Sequence, residues 1–242
     1  MDQGWSTPVD APFYPRPPAR YRNVRFQLLS FSAVVEGVAR FLPEPLVASP
    51  DGACVAAGLE VPYCSHYGPF LEAFLLLKCG FRGQSGYYCS HVFHNGPAGI
   101  AAGREIYGTP KIFSDVSVRY VERSMCTEAR MGGTAVLRLS TVTEIAASPD
   151  AIPALAPSWR LKLIPRADGK GPEVKQLIDG AAAMREQVVH FCASGRGVIA
   201  FEASPFVDLT PLRPASFGEA FYLETSYTEE FAEIVYDYLK DG

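Results

Sequence analysis

The stretch AAGREIYGTPKIF, residues 101–113, places a charged pair, a glycine, a proline and a lysine within a short span. One interpretation is a surface turn in which Arg104 and Glu105 form an ion pair that contributes little to stability. The other interpretation rests on Lys111, which follows Pro110 directly and precedes two apolar residues. Burial disfavours the charged form of a lysine, and the neutral amine is a nucleophile for carbonyl carbons. Lys111 is therefore a candidate nucleophile.

Two carboxylates upstream stand in strongly apolar surroundings. Glu60 lies in AGLEVP and Glu72 in FLEAFLLL. A charge among apolar residues is costly unless it is paired, so such a carboxylate either holds a cation or transfers protons. The alternative is that each glutamate lies at the exposed edge of a strand. On the first interpretation Glu60 and Glu72 are candidates for holding a cation or for moving protons.

The pattern around these residues is that of many short strands. With 21 Gly, 20 Pro and 12% aromatic residues, the composition suits strands joined by turns better than a helical bundle. We predict a mainly β, β-rich α+β fold with antiparallel strands and a few short helices. The β-branched or aromatic stretches bounded by turn residues are 24–31, 53–63, 71–79, 87–93, 116–121, 134–143, 161–164 and 197–201.

Helical spacing is found in few places. Apolar residues recur at helical intervals over residues 33–41, with Ser32 as the expected N-cap and prolines following the segment. Residues 178–187 have helical propensity, and residues 228–239 fit neither a helical nor a strand period cleanly.

The composition excludes several classes of function. The 242 residues are 48% apolar, enough for a buried core, and the net charge of −4 gives no positive field for nucleic acid. No apolar run reaches the roughly 20 residues that span a bilayer, and residues 1–20 do not have the pattern of a signal peptide. We therefore expect no nucleic-acid or membrane partner and a cytoplasmic location.

The expected organisation is a Pro-rich, extended arm over residues 1–20 followed by a single domain over residues 21–242, because no repeat or long linker interrupts the chain. The six cysteines form no C-x-x-C pair and are expected to be reduced and mostly buried. Cys89, His91 and His94 in CSHVFH could ligate zinc, but alternation along a strand separates His94 from the other two. We predict neither a metal site nor a cofactor.

Four segments, in order along about 220 residues, resemble the acetoacetate decarboxylase family. AAGREIYGTPK (101–111) resembles the family's G-R-E followed by a P-K that carries the Schiff-base lysine. FLPEPL (41–46) resembles its P-E-P-L element, LKLIPRADGK (161–170) its L-K-I-I-P segment, and EIVYDYLK (233–240) its C-terminal strand. The resemblance implies a cone-shaped or barrel-like antiparallel sheet, strands rather than helices in the two ambiguous segments, and homo-oligomers built from dimers.

The resemblance also implies roles for individual residues. Lys111 matches the nucleophilic lysine, Glu72 an active-site glutamate, and Glu60 a second glutamate across a shorter loop. The further candidate substrate-binding residues are Val24, Arg22, Arg104, Ile112 and Phe93.

The sequence departs from the family pattern at two of these positions. The family often has a second lysine after the nucleophile, whose charge helps to keep the nucleophile neutral, and Ile112 stands there. An arginine thought to receive the substrate carboxylate aligns with Val24. Arg25 should face the other side of the sheet unless a bulge rotates it, whereas Arg22 should share the face of Val24.

The function implied by the resemblance is decarboxylation of a β-keto acid through an imine on Lys111, with a small-molecule keto substrate bulkier than acetoacetate, as in secondary metabolism. One alternative keeps the imine but leads to aldol addition, dehydration or ring closure without loss of CO₂. Another is a non-catalytic ligand-binding protein in which a charged Lys111 pairs with Glu72.

Overall fold

The computed structural model describes residues 5–241, and strands dominate it. Two α-helices, α1 (Val35–Ala39) and α2 (Pro97–Glu105), and three single 3₁₀ turns accompany fifteen strands within this range. The strands are β1 (Ala19–Ala33), β2 (Val47–Ala48), β3 (Ala53–Val61), β4 (Tyr63–Cys64), β5 (Phe70–Phe81), β6 (Gln84–His94), β7 (Lys111–Phe113), β8 (Asp115–Val121), β9 (Ser124–Met131), β10 (Thr134–Ala146), β11 (Ser158–Pro165), β12 (Pro172–Asp179), β13 (Met184–Phe201), β14 (Pro214–Glu229) and β15 (Glu233–Asp237).

All strands belong to one sheet, in the order β15-β12-β11-β6-β5-β3-β1-β14-β13-β10-β9-β8, with β2, β4 and β7 attached beside β5, β1 and β6. The pairings are antiparallel except for two on β6, where β11 and β7 run parallel to it. The sheet is therefore mixed, and the predicted mainly β, largely antiparallel fold with few helices is confirmed. Strands β7 and β11, which pair in parallel with β6, lie along the same edge of it.

The sheet folds back on itself, so that β8 and β9 pack across β3 and β5. Because side chains alternate along a strand, one face of the sheet supplies the main core and the other face lines a cavity. On β1 the core side chains include Leu29 and Phe31, whereas Phe26 and Leu28 line the cavity. The same alternation continues in β3 and β5.

Gln27 connects the two sides of the core. It is fully buried on β1, and its Nε2 donates to the backbone oxygen of Met125 at 3.3 Å, while Thr127 Oγ1 donates to its Oε1 at 2.7 Å. A buried amide needs such partners, which β9 provides here. This polar link fixes β1 against β9 where the sheet closes.

The first helix is shorter than predicted. It covers Val35–Ala39 rather than residues 33–41, and Val34, not Ser32, is its N-cap. The reason is that β1 stays paired with β14 as far as Ala33, which keeps Ser32 in the strand. Strand pairing has overridden a favourable capping residue.

The ambiguous segments resolve mostly as strands, as the resemblance implied. One 3₁₀ turn at Ala181–Ala183 separates β12 from β13, and β14 and β15 cover most of residues 228–239. Strands β2, β7, β9, β12 and β14 and helix α2 were not predicted from the pattern. The arm and domain boundary at residue 20 stays a prediction; residues 5–18 form turns and bends, and β1 begins at Ala19.

All six cysteines are free, and five of them are buried, as predicted. Neither helix within residues 5–241 combines the length and the apolar character needed to cross a bilayer.

Candidate active site

A cavity of about 610 Å³ opens on the face of the sheet opposite the main core. Its lining comes from β1, β3, β5, β6 and β14, together with α2 and the chain segments that flank β11. Most lining side chains are apolar or aromatic, and only a few charged groups reach the interior. A concave, mainly apolar site with a few polar groups is the usual form of a small-molecule site.

Lys111 is the first residue of β7 and points into this cavity. The parallel pairing of β7 with β6 sets Lys111 opposite Val92, and both line the cavity. Helix α2 approaches the lysine so closely that a Cβ on Gly103 would lie 2.8 Å from Lys111 Cδ. The side chain is only 12% exposed, so its amine is shielded from bulk water, as the sequence indicated.

Glu72 on β5 meets this amine. Its Oε2 lies 2.9 Å from Lys111 Nζ, and each side chain is 12% exposed. The two groups form an ion pair, but the angles between them do not suit a hydrogen bond. Oε2 therefore has no hydrogen-bond donor among the described residues. The Nζ atom also lies 5.4 Å from the centre of the Phe70 ring. The structure thus brings together a shielded amine and a carboxylate able to take its proton.

His94 lies directly behind Glu72. The two residues are paired in register, and His94 Nε2 is 3.7 Å from Glu72 Oε2. The ring stacks on Phe70, and its Nδ1 accepts a 2.7 Å hydrogen bond from the Gly96 N–H. Burial, and secondarily the charge of Lys111, lower the pKa of His94 to about 2. The neutral ring, with Nδ1 as acceptor, carries its proton on the nitrogen that faces Glu72.

Four tyrosines form another part of the wall: the buried Tyr21 and Tyr107 and the half-buried Tyr67 and Tyr227. Burial raises the pKa of each one above its ordinary value, so the phenols stay protonated at neutral pH. The Tyr21 hydroxyl donates to Glu229 at 2.8 Å, whereas the buried Tyr67 hydroxyl has no partner among residues 5–241. Tyr67 can therefore hydrogen-bond a ligand.

The cavity also contains Arg160 of β11. Neither Arg160 nor the tyrosines and Glu229 were predicted as site residues. Arg160 alternates with apolar neighbours in SWRLKL, a pattern equally typical of a solvent-facing strand residue. Only the packing of the cavity distinguishes the two situations.

Glu60 does not join Lys111 and Glu72. Its neighbour Leu59 takes the cavity side of β3, so Glu60 points to the opposite face. There its Oε2 accepts from Arg25 at 3.0 Å and from the Tyr120 hydroxyl at 2.7 Å. Arg25 faces away from the cavity, as alternation predicted.

Val24 and Arg22 are separated by an irregularity in β1. The pairing with β14 shifts between Tyr21 and Val24, and Asn23 has φ of 54°. This bulge puts Tyr21 and Val24 in one buried cluster and turns Arg22 elsewhere, where its Nη1 donates to the backbone oxygen of Tyr21 at 2.8 Å. The expectation that Arg22 shares the face of Val24 is therefore wrong.

The remaining candidates lie beside the cavity rather than in its lining. Phe93 and Ile112 are paired next to Val92 and Lys111, and alternation turns both toward the main core, where Phe93 is fully buried. Arg104 is exposed, and its Nη1 donates to the backbone oxygen of Lys111 at 3.2 Å. It can position the lysine strand but does not line the cavity.

The described residues contain no group of three side chains placed to hold a metal ion. In the CSHVFH segment Cys89 lines the cavity, and burial raises its pKa to about 12. The His91 ring packs against Phe41 with a centroid distance of 5.3 Å, and burial lowers its pKa to about 4.

Comparison with known proteins agrees with this architecture. The family described as acetoacetate decarboxylase (ADC) matches residues 6–239. A curated acetoacetate decarboxylase from Acidiphilium cryptum is 24% identical, covering 98% of this chain and 97% of that protein. A solved acetoacetate decarboxylase superposes with a TM-score of 0.91 at 22% identity, covering 98% of this chain and 97% of that one. The enduracididine biosynthesis enzyme MppR in complex with pyruvate gives 0.81 at 18% identity, covering 97% and 98%.

Proposed function

The chain belongs to the acetoacetate decarboxylase family, and we propose that it is a Schiff-base-forming lyase that decarboxylates a β-keto acid through an imine on Lys111. The observation that carries this proposal is the 2.9 Å contact between Lys111 Nζ and Glu72 Oε2 inside a mainly apolar cavity. Such an arrangement supplies both a nucleophile and an adjacent proton acceptor.

Imine formation needs a neutral amine. Glu72 accepts a proton from the Lys111 ammonium, and the freed amine adds to the ketone carbon to form a carbinolamine. Glu72 then returns the proton to the carbinolamine hydroxyl, which leaves as water, and the nitrogen is left as a protonated imine. His94 Nε2 lies behind the carboxylate at 3.7 Å from Glu72 Oε2, without a hydrogen bond to it. Because Glu72 Oε2 has no other donor among residues 5–241, it is available for these transfers.

The protonated imine accepts the electrons of the bond that breaks. The bond between the α-carbon and the carboxylate breaks, CO₂ leaves, and the electron pair forms an enamine that neutralises the iminium. Proton addition at the α-carbon and hydrolysis release the ketone and the free lysine. Since this step removes two opposite charges, a mainly apolar cavity favours it over water.

The size of the cavity supports a substrate larger than acetoacetate. A volume of about 610 Å³ lies within the range of sites for drug-sized ligands. Phe26, Leu28 and Leu223 line part of it and provide apolar contacts for an alkyl or aryl group. We propose a bulkier β-keto acid, of the kind made in secondary metabolism.

The same volume favours a second candidate. An enamine on Lys111 can add to the carbonyl of another molecule, and the cavity has space for that molecule beside the lysine. Water loss after the addition would give a condensation product without release of CO₂.

The assembly into oligomers built from dimers and the cytoplasmic location stay predictions.

Borohydride trapping tests the proposal. The protein is incubated with acetoacetate and a series of larger β-keto acids, reduced, digested and analysed by mass spectrometry. We expect an adduct on Lys111 whose mass lacks the carboxyl group, and CO₂ release in parallel. Lys162 is the internal control, because burial also lowers its pKa although it does not line the cavity.

Each other outcome has a definite meaning. An adduct on Lys111 that retains the carboxyl group, with a condensed product and no CO₂, would support the second candidate. Equal labelling of Lys111 and Lys162, or no adduct in folded protein, would contradict both candidate reactions. The interpretation as a non-catalytic ligand-binding protein would then remain.

A further inference from the structure

Arg160 lines the cavity and has no anionic partner among residues 5–241. Its Nε is buried without a hydrogen-bond partner, and no carboxylate within residues 5–241 lies within 4.0 Å of its guanidinium. Two acidic residues of the cavity lining are engaged elsewhere, Glu72 with Lys111 and Glu229 with the Tyr21 hydroxyl. An unpaired charge in apolar surroundings is costly, so this guanidinium is suited to an anion that arrives from outside.

The backbone is shaped to hold the guanidinium in place. A Cβ on Gly180 would lie 2.2 Å from Arg160 Cζ, so the head group rests directly on the glycine. The φ of Gly180 is −74°, which any residue can adopt, and the glycine is therefore needed for space rather than for conformation. Asp179 fixes this turn by accepting at 3.0 Å from the N–H groups of Ser158 and Ala181.

Arg160 and Lys111 are related through β6. Strand β11 pairs in parallel with β6 at Trp159 and Tyr88, which puts Arg160 beside Cys89, whereas β7 puts Lys111 beside Val92. A register shift in this part of β6 lets both Cys89 and Val92 face the cavity. At about 3.3 Å per residue, the two basic residues are attached roughly 7–10 Å apart along one edge of β6. Their long side chains enter the same cavity.

We propose that Arg160 binds the carboxylate of the substrate and thereby makes the site selective for oxo acids over neutral ketones. The inference rests on the proposed function and deepens it. It supplies, from β11, the anion-binding group that Val24 on β1 does not provide. A guanidinium presents two parallel N–H groups to a carboxylate, a geometry that a lysine does not reproduce.

The expected kinetic effect lies in binding. A cation on the carboxylate stabilises the bound ground state, whereas decarboxylation removes the charge to which it is paired. Loss of Arg160 should therefore raise KM for an oxo acid without lowering kcat in proportion.

The test compares acetoacetate with its neutral isostere acetoacetamide, each trapped on the protein with borohydride at concentrations below saturation. In Arg160→Gln we expect the trapping rate of acetoacetate to fall by about tenfold or more and that of acetoacetamide to change by less than about twofold. Arg160→Lys should lie between the two, and Arg196→Gln, which removes an exposed arginine, should match the wild type. Equal losses for both compounds, or no loss for acetoacetate, would overturn the proposal.

Gly180→Ala provides an independent variant that keeps the arginine. Its methyl group would displace the head group, which is the flexible end of a side chain, so the fold should be retained. We expect the same selective loss of acetoacetate trapping. Unchanged selectivity in a folded variant would contradict the assigned position of the guanidinium.

Binding of 3-hydroxybutyrate separates this inference from the imine chemistry, because this acid cannot form an imine. Calorimetry should show that Arg160→Gln raises its dissociation constant by about tenfold, while 3-hydroxybutyramide binds both proteins alike. If this holds and no carbonyl compound labels Lys111, the proposed function fails and the Arg160 site stands. Absence of wild-type binding by 3-hydroxybutyrate and by longer 3-hydroxy acids would overturn the Arg160 site itself.

Discussion

Gly103 of α2 lies directly against the side chain of Lys111. A Cβ at this glycine would be 2.8 Å from Lys111 Cδ and 2.9 Å from its Cε. Because Gly103 is inside a helix, its backbone conformation does not require glycine, and the requirement is spatial. The helix therefore forms a wall that holds the lysine stem and sets the distance between its amine and Glu72.

Gly103→Ala should displace Lys111 without unfolding the protein. The helix tolerates alanine well, and the atoms in the way belong to a flexible side chain. We expect imine trapping to slow by about tenfold or more, because a displacement near 1 Å disturbs a reacting group strongly. Gly80→Ala is the matched control, since its Cβ would have no neighbour nearer than 3.8 Å. Equal trapping rates in Gly103→Ala and the wild type would contradict this account of the wall.

Glu72→Gln should separate imine formation from turnover. The amide keeps the shape of the side chain but cannot take or return a proton, so we expect turnover to fall by about a hundredfold or more. Slow trapping on Lys111 should persist at high substrate concentration. Glu60→Gln is the matched control, because Glu60 pairs with Arg25 on the other face of the sheet. If both variants lose turnover equally, the assignment of Glu72 as the proton carrier fails.

The sequence indicated part of the site and could not indicate the rest. Lys111 and Glu72, which the family resemblance had placed together in the site, meet because β5 and β7 both pair with β6. Glu60 points away from the cavity because its position in β3 falls on the other face of the strand. Arg22 is turned away by a bulge at Asn23. Such one-residue shifts exchange the faces of a strand and leave little trace in composition.

Arg160 illustrates a different limit. Its place in the cavity depends on the parallel pairing of β11 with β6, two strands separated by more than sixty residues in the chain. Alternation in SWRLKL marks a strand with one polar face but does not say whether that face meets solvent or a cavity. The mainly β fold was predictable from local pattern, whereas a site assembled by distant pairings was not.

Val24→Arg should destabilise the fold rather than restore an anion-binding site. Val24 is fully buried in a cluster with Tyr21, Leu59 and Phe70, so a guanidinium there would be both too large and unpaired. We expect the free energy of unfolding to fall by about 3 kcal/mol or more. Urea denaturation measures this, with Val47→Arg on an exposed position as the control. A stable Val24→Arg protein with faster turnover of acetoacetate would show that the cluster can open.

Two histidines, the fully buried His94 and the half-buried His91, should make the fold sensitive to acid. Burial lowers the pKa of His91 to about 4 and that of His94 to about 2, whereas both titrate near 6.5 in the unfolded chain. Below pH 6.5 the unfolded chain therefore binds more protons than the folded protein. The free energy of unfolding should fall as the pH drops from about 6.5 toward 4, with His91 contributing on the order of 1–3 kcal/mol.

His91→Gln tests this contribution, because glutamine does not titrate. Urea unfolding at pH 7, 6 and 5 should show a smaller loss of stability in this variant than in the wild type, whatever the stability at pH 7. His190→Gln is the control, because His190 is exposed and its Nε2 lies 2.8 Å from Ser226 Oγ. It controls for the change from histidine to glutamine at an exposed position. If His91→Gln and the wild type lose stability in parallel, the acid sensitivity arises from His94 or from carboxylates and not from His91, because only groups whose pKa differs between the folded and unfolded states produce it.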